Sequence, residues 1–512
     1  MKQVNPVYLG VQLVRQLNMI PFMDSLKEKA RKRLRLIKRL APTTWGANKE
    51  TLRNLYLGYV RSAMEHALPL QSIASKRTAA SLDTVQNQAL RLVCGGMRTS
   101  PTAACEIDAR VEPLDLRRER AVLESVERYC RLEPDHPNRV LVESWQPVGR
   151  LKQQSPMDMA LDLHNKHSLP ENRLLKLNHS TIPPWKDLHP PRIRCSLLDP
   201  TIDKSSNPTI LKSCALETID SYHDIPIQAY TDGSALEGTT SAGCGVYLKI
   251  PGRSEIDISE ACGKTCSNYD AEIQGLIYAV ENIHQHFVSE QGEPNDVVIF
   301  TDSLSTLQAL ENLETENDFG IEHLAVSIDK LLTSYAIQLT LQWIPGHCDL
   351  QGNERADRLA KEGARKEQPD NPSSYKTVRR ILKSNTRDEW LRRWREGETG
   401  RAVFEELKEP NPKDNINFLS RKEQSAIFQL RTGHSKLNYH LNRFDPIHPP
   451  HCRNCPHPYE TTEHILFECL GLKADREKLL PHFPTIGNSL YGSISQLRNT
   501  AKLYYMSLSS KS

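Results

Sequence analysis

The segment Ala229-Tyr-Thr-Asp-Gly-Ser234 decides how the chain is read, because it ends an apolar run on a carboxylate. Residues 225–231 and 242–250 are apolar, β-branched stretches bounded by Gly, Ser and Thr, which predicts strands. Residues 255–261 alternate and predict a third strand, giving an antiparallel meander with Asp232 at the C-terminal end of its first strand. Asn268-Tyr-Asp-Ala-Glu272 then leads into Ile273, Leu276, Ile277, Val280, Ile283 and Phe287, whose spacing predicts an amphipathic helix. Glu272 falls in its first turn, beside the apolar stripe and facing the sheet. Phe300-Thr-Asp-Ser303 closes a buried strand predicted over residues 296–301, with Asp302 at its carboxyl end. Residues 338–344 predict one more strand. Trp343-Ile-Pro-Gly-His347 turns it into a loop carrying His347, and Gly352-Asn-Glu-Arg-Ala-Asp357 enters a helix over residues 353–365.

Each fragment alone has a plain structural reading. Asp-Gly-Ser is a common turn, Thr-Asp-Ser a common helix cap, and Pro-Gly-His a loop. Their order and the elements they sit on make the set informative. Open α/β sheets bind ligands at the carboxyl ends of their strands, where Asp232 and Asp302 both fall. Separated carboxylates converging on one point suit two-metal phosphodiester chemistry.

With those residues in that order, residues 223–366 resemble the type-1 ribonuclease H family. The resemblance implies an α/β fold: a mixed five-stranded sheet with flanking helices, to which mainly helical N-terminal and C-terminal regions are added. It implies that Asp232, Glu272, Asp302 and Asp357 are metal-binding catalytic carboxylates. It also implies that His347 assists proton transfer or product release, and that Asn268 and Asn353 lie near the substrate strand and the active site. One departure stands out. Residues 311–320 are short and acidic where some family members carry a basic loop that grips the hybrid.

The chemistry follows from the residue types as well. Four carboxylates within a few ångströms raise one another's pKa values unless cations intervene. Two Mg²⁺ ions about 4 Å apart relieve that repulsion, generate a hydroxide and stabilise the leaving 3′-oxygen. Hard oxygen ligands favour Mg²⁺ or Mn²⁺ over zinc. The expected reaction is endonucleolytic hydrolysis of the RNA strand of an RNA–DNA hybrid, with the strands told apart through the 2′-hydroxyl. The alternative from another class is a non-catalytic nucleic-acid-binding or assembly protein that retains a silent nuclease fold.

At 512 residues the chain is long enough for about three domains, and its net charge of +3 conceals a strong asymmetry. Residues 1–130 carry 22 Lys and Arg against 12 Asp and Glu, a net +10. Residues 222–370, the expected nuclease domain, carry 9 against 25, a net −16. Residues 371–512 carry 23 against 15, a net +8. A domain at −16 repels a polyanion, so binding energy is expected from the basic flanks, through phosphate neutralisation and counterion release. Between them, residues 131–221 hold 11 of the 32 prolines and read as a linker with local structure.

The N-terminal region reads as helical. Phe22, Leu26, Ala30, Leu34 and Ile37 form one stripe among many lysines and arginines, and Pro42 ends it. Leu52, Leu55, Tyr59, Ala63 and Met64 suggest a second helix, and Leu82, Val85, Ala89 and Leu92 a third. Tyr8-Leu-Gly-Val, Lys38-Arg-Leu-Ala, Thr44-Trp-Gly-Ala, Leu55-Tyr-Leu-Gly-Tyr-Val-Arg61 and Gln86-Asn-Gln-Ala-Leu-Arg-Leu92 together resemble the helical thumb of non-LTR retrotransposon reverse transcriptases. No Tyr-x-Asp-Asp polymerase motif occurs. The resemblance therefore implies the C-terminal part of a retrotransposon polyprotein, with a separate polymerase subunit as a candidate partner. A basic amphipathic helix at a membrane surface or on a partner protein is the other reading of residues 22–39.

Near the C-terminus, Cys452, Cys455, His464 and Cys469 follow a C-x₂-C-x₈-H-x₄-C spacing that offers four ligands for tetrahedral zinc. His451 and His457 are rival ligands, and a reduced, partly buried Cys/His cluster is the plain alternative. Residues 462–469 look helical, which would set His464 and Cys469 on roughly adjacent faces. The remaining cysteines show no disulfide framework. Met1–Phe22 lacks the continuous apolar core of a signal peptide, and no stretch has the length of a membrane span. The expectation is an intracellular protein of nucleus or cytoplasm, neither secreted nor membrane-bound.

Overall fold

The structure is a computed structural model that describes residues 6–14, 19–146, 155–167, 169–174, 182–183, 185–204, 206–236, 238, 240–290, 295–313, 319–481 and 485–509. Half of the acidic stretch over residues 311–320, at 314–318, lies outside them. The chain forms two compact units. One takes Met1–Val126, Gln146–His167 and Leu382–Ser512; the other takes Glu127–Trp145 and Ser168–Ile381.

The second unit is built on a mixed sheet of six strands. They are β1 (Arg192–Arg194), β2 (Ile227–Leu236), β3 (Thr240–Lys249), β4 (Ile256–Gly263), β5 (Val297–Thr301) and β6 (Leu339–Trp343). Their spatial order is β1-β6-β5-β2-β3-β4. The pairs β1/β6, β6/β5 and β5/β2 are parallel, and β2/β3 and β3/β4 are antiparallel. Four helices flank the sheet: α1 (Asn268–Glu290), α2 (Leu304–Glu311), α3 (Phe319–Ser334) and α4 (Gln351–Arg365). This is the expected mixed sheet of five strands, with β1 added parallel to the outer edge of β6. That extra strand comes from the proline-rich segment, as does the helix Pro208–Asp220. Leu211, Cys214, Ala215 and Thr218 of that helix are buried, at 3.6-residue spacing.

Two features of the sequence hold this architecture in register. The apolar stripe Ile273, Leu276, Ile277, Val280, Ile283 and Phe287 is buried in one core with Ala229, Tyr230, Val246, Leu248 and the apolar residues of β5. Across the sheet, α4 lies directly on β3 because Gly243 and Gly245 leave no side chain in the way. A Cβ on Gly245 would fall 2.8 Å from Leu359 Cβ and closer still to the backbone of Ala356. Gly245→Ala is therefore expected to lower the stability of this unit by ~3 kcal/mol through overpacking against helix backbone. A urea titration followed by tryptophan fluorescence reads it out, and an unchanged midpoint would refute the close approach.

The first unit is helical. Helix Ile20–Leu40 buries Phe22, Met23, Leu26, Ala30, Leu34 and Ile37, which is the predicted stripe with Met23 added, and it stops at Ala41 before Pro42. Helix Lys76–Cys94 buries Leu82, Val85 and Ala89. The stretch expected as a second helix is α-helical over Lys49–Leu55, π-helical over Tyr56–Arg61 and α-helical again over Ser62–Met64. These helices share one core with the C-terminal helices Arg421–Thr432 and Ile494–Leu508. Arg421 is buried and donates to the Val93 carbonyl at 2.6 Å, and Gln424 Oε1 accepts from the Lys49 amide at 2.8 Å. Arg431, fully buried, is held bidentately by Asp414 at 2.6 and 3.0 Å. Removing residues 1–130 would thus strip half of a shared core. No described helix is long and apolar enough to cross a membrane.

Candidate active site and metal sites

Register brings the carboxylates together. The parallel pair β2/β5 ends at Thr231 opposite Thr301, so Asp232 and Asp302 follow on neighbouring strands at the carboxyl edge. Neighbouring strands lie about 4.8 Å apart. β2 itself runs on to Leu236, past its expected end, because its other side continues to pair with β3 as far as Leu236 opposite Thr240. Glu272 arrives from the start of α1. A Cβ on Gly233 would collide with the backbone of Ala271 and Glu272, so the glycine after Asp232 is what lets the helix approach the strand. Asp357 arrives from α4, and Lys361 one turn later meets its carboxylate at 2.6 Å.

Each acid is held by its neighbours. The Gly233 N–H donates to Asp232 Oδ1 at 2.7 Å. The buried Ser303 hydroxyl donates to Glu272 Oε2 and also meets Thr306 Oγ1 at 2.7 Å. Asn353 is buried and hydrogen-bonds Asp302, and its own Oδ1 has no hydrogen-bond partner. Trp343 Nε1 donates to the Asp302 carbonyl at 3.3 Å. The Pro345-Gly346 turn passes so close that a Cβ on Gly346 would meet the Asp302 carboxylate. His347 follows, exposed, with φ of 55°, a left-handed conformation that costs a non-glycine residue free energy.

The electrostatics are those of a cluster of largely buried acids. Burial and the charge of Asp302 push Asp232 up to about 8, with smaller contributions from Asp357 and Glu272. Burial also raises Glu272 and Asp302, while Lys204 draws both down. His347 draws Asp302 down as well, and Arg380 does the same for Glu272. The charges feel one another, yet among the described residues no three of the four carboxylates bring oxygens within 4.8 Å of each other. Between about pH 4, where an unfolded Asp ionises, and about pH 8, folded Asp232 holds a proton that the unfolded chain has lost. Its contribution to stability therefore falls as pH rises through that window. The melting temperature in EDTA is expected to drop below that in Mg²⁺ by a margin that widens from pH 5 to pH 8; a constant margin would contradict the coupling.

Of the residues expected to serve this site, the structure gathers Asp232, Glu272, Asp302 and Asp357 at one edge, with His347 and Asn353 beside Asp302. Asn268 is exposed at the first position of α1. Two contributors escaped the sequence reading. Ser303 read as a helix cap, and its bond to Glu272 leaves no local pattern. Lys204 lies in the proline-rich segment, where nothing in the spacing points to it; its Nζ stands 5.6 Å from the centre of the Trp343 ring.

The second candidate site is in the helical unit. Cys452 and Cys469 Sγ are 3.7 Å apart, as are Cys455 and Cys469 Sγ, and His464 Nε2 lies 3.3 Å from Cys455 Sγ. All four ligand atoms lie within 4.8 Å of one another, so the cluster can coordinate a metal. Zinc with bonds of about 2.3 Å to sulfur sets its tetrahedral thiolates about 3.8 Å apart, close to what is seen. A π-helical turn, His464–Glu468, makes this possible. Residues five apart diverge by about 140° on an α-helix. In the wider turn the Cys469 N–H bonds the His464 carbonyl at 2.8 Å, which returns Cys469 to the His464 side. His457 stacks on His464 with centroids 4.0 Å apart and joins it with Glu468 in a second, more open grouping. His451 belongs to neither grouping.

The sheet order and the carboxylate edge define an RNase H-like domain, and residues 225–365 match the RNase H family. Ribonuclease H1 of Rattus norvegicus is 28% identical over 171 residues, covering 28% of this chain and 52% of that protein. Ribonuclease H of Schizosaccharomyces pombe is 27% identical over 147 residues, covering 26% and 52%. The chain thus spans about half the length of these curated relatives. Among solved structures, RNase H1 from the halophilic archaeon Halobacterium salinarum NRC-1 is 25% identical with a TM-score of 0.22, covering 27% of this chain and 96% of that one.

Proposed function

We propose that the chain is a metal-dependent endonuclease that hydrolyses the RNA strand of RNA–DNA hybrids at the Asp232–Glu272–Asp302–Asp357 edge. The observation that carries this reading is the register that sets Asp232 and Asp302 side by side after Thr231 and Thr301, with burial and mutual charge raising Asp232. A buried cluster of acids is held apart from its own protons only by cations, and hard oxygen donors fit Mg²⁺ or Mn²⁺. When bound there, such ions supply an activated water and stabilise the leaving 3′-oxygen.

The chain's own groups do the positioning. The Gly233 N–H and the Ser303 hydroxyl fix the carboxylates of Asp232 and Glu272, and Asn353 bonds Asp302. His347, at the solvent edge of the same site, hands a proton to the departing product strand or takes one from it. Asn268, exposed beside Glu272, meets the substrate strand. The Cys452–Cys455–His464–Cys469 cluster holds zinc as a structural ion. The thumb-like N-terminal helices and this cluster support a retrotransposon-derived chain that works with a separate polymerase subunit.

A hybrid, an RNA duplex and a DNA duplex of one sequence, incubated side by side with the full chain, test the substrate. Cutting confined to the RNA of the hybrid supports the reading. Binding of all three without cutting favours the non-catalytic alternative.

A further inference from the structure

A domain with a net charge of −16 still has to hold a polyanion, and the acidic stretch over residues 311–320 offers no grip. The structure places a compact set of cations elsewhere beside the carboxylates. The first turns of the helix Tyr375–Glu396 carry Lys376, Arg379 and Arg380, all exposed. Two bonds fasten this stretch of the helix to the start of α1. The Thr377 hydroxyl donates to Asp270 Oδ2, and Arg380 donates to the Ser267 hydroxyl at 2.6 Å. Ser267 in turn caps α1, its Oγ accepting from the Asp270 N–H at 3.3 Å and its hydroxyl donating to Asp270 Oδ2 at 2.8 Å.

The half-buried ring of Tyr269 lies under these cations. Lys376 Nζ stands 5.8 Å and the Arg380 guanidinium 5.5 Å from its centre. The Arg379 guanidinium stands 5.9 Å from the Tyr375 ring. Cations set over aromatic faces keep their positive charge. Asn268, exposed, precedes Tyr269, and Glu272 follows three residues later on the same helix. Cationic side chains, exposed and fixed to the element that carries a catalytic acid, match a phosphate backbone entering that site.

We propose that Lys376, Arg379 and Arg380, backed by Tyr269 and Tyr375, form the surface that binds the phosphate backbone of the hybrid next to the carboxylate edge. This rests on the nuclease reading above. It differs from a general attraction to basic flanks in naming one face, fixed to α1. Phosphates bound there displace counterions, so this face accounts for about two to three units of the salt dependence of binding.

The test uses the full chain with Asp302→Asn, so that hybrid is bound without turnover, and measures anisotropy of a labelled hybrid from 50 to 200 mM KCl, a range over which phosphate contacts dominate the response. Adding Lys376→Gln, Arg379→Gln and Arg380→Gln is expected to weaken binding about tenfold or more at 100 mM salt. The slope of log K against log salt should fall by about 0.9 for each lost contact. A Lys376→Arg, Arg379→Lys variant, which keeps the charges, should keep the slope. Circular dichroism of the triple variant should match that of the parent. Hybrid binding by the triple variant with the parent's affinity and slope overturns this surface and leaves the nuclease reading standing. A parent chain that binds no hybrid overturns both.

Discussion

On the nuclease reading, Asp302→Asn is expected to lower hydrolysis of an RNA–DNA hybrid about a thousandfold or more while hybrid affinity stays within about twofold, the loss that follows when a ligand of a catalytic metal pair is removed. The substitution keeps the shape of the side chain and an oxygen that can accept from Asn353. It removes a charge that Asp232 and Glu272 both feel. The same change should make the metal-free chain more stable at pH 8, because Asp232 then ionises against one charge fewer. This pairing separates a chemical loss from a folding defect. A variant that loses cutting, affinity and thermal stability together would point to a damaged fold. A variant that retains cutting would remove Asp302 from the site.

The second large effect belongs to the Cys/His cluster. The purified chain is expected to carry one zinc, and stripping it, or substituting Cys469→Ala, should destabilise the helical unit by on the order of 5–10 kcal/mol, since such sites contribute folding free energy directly. Cys469 is fully buried and the Ile465 and Leu466 side chains between the ligands lie in the same core as the N-terminal helices. Loss of the metal therefore unpins more than the loop that binds it. Metal content by plasma mass spectrometry and urea unfolding with and without chelator measure both parts. A zinc-free, chelator-insensitive chain would mean that the four residues are a reduced thiol–imidazole cluster packed for its own sake.

Most of the six-stranded sheet was legible because its determinants are local. Alternation over residues 255–261 and the apolar stripe from Ile273 to Phe287 each fix an element, and the acids sit at the ends of such elements. Asp232 and Asp302 fall on one edge from the sequence alone, since each ends an apolar run and open α/β sheets gather their ligands at the carboxyl ends of the strands. What local pattern could not show is which distant segments meet. Ser303 donating to Glu272 and Lys204 reaching Trp343 join residues far apart in sequence. The same holds for Arg421 donating to the Val93 carbonyl, a bond that ties the two ends of the chain into one helical unit. The π-turn at His464–Glu468 is a further case. The helical reading of residues 462–469 set His464 and Cys469 on roughly adjacent faces, yet residues five apart diverge by about 140° on an α-helix, and only the wider turn brings Cys469 back.

The end groups of the cut RNA test the central claim most directly. The full chain with Mg²⁺ should release RNA fragments ending in 3′-hydroxyl and 5′-phosphate from an end-labelled hybrid, with cutting abolished by EDTA. Those ends require an external water and a leaving 3′-oxygen, which is the chemistry that metal ions would supply if held at the carboxylate edge. Fragments ending in 2′,3′-cyclic phosphate, cutting that survives EDTA, or no cutting by a demonstrably folded chain would contradict it.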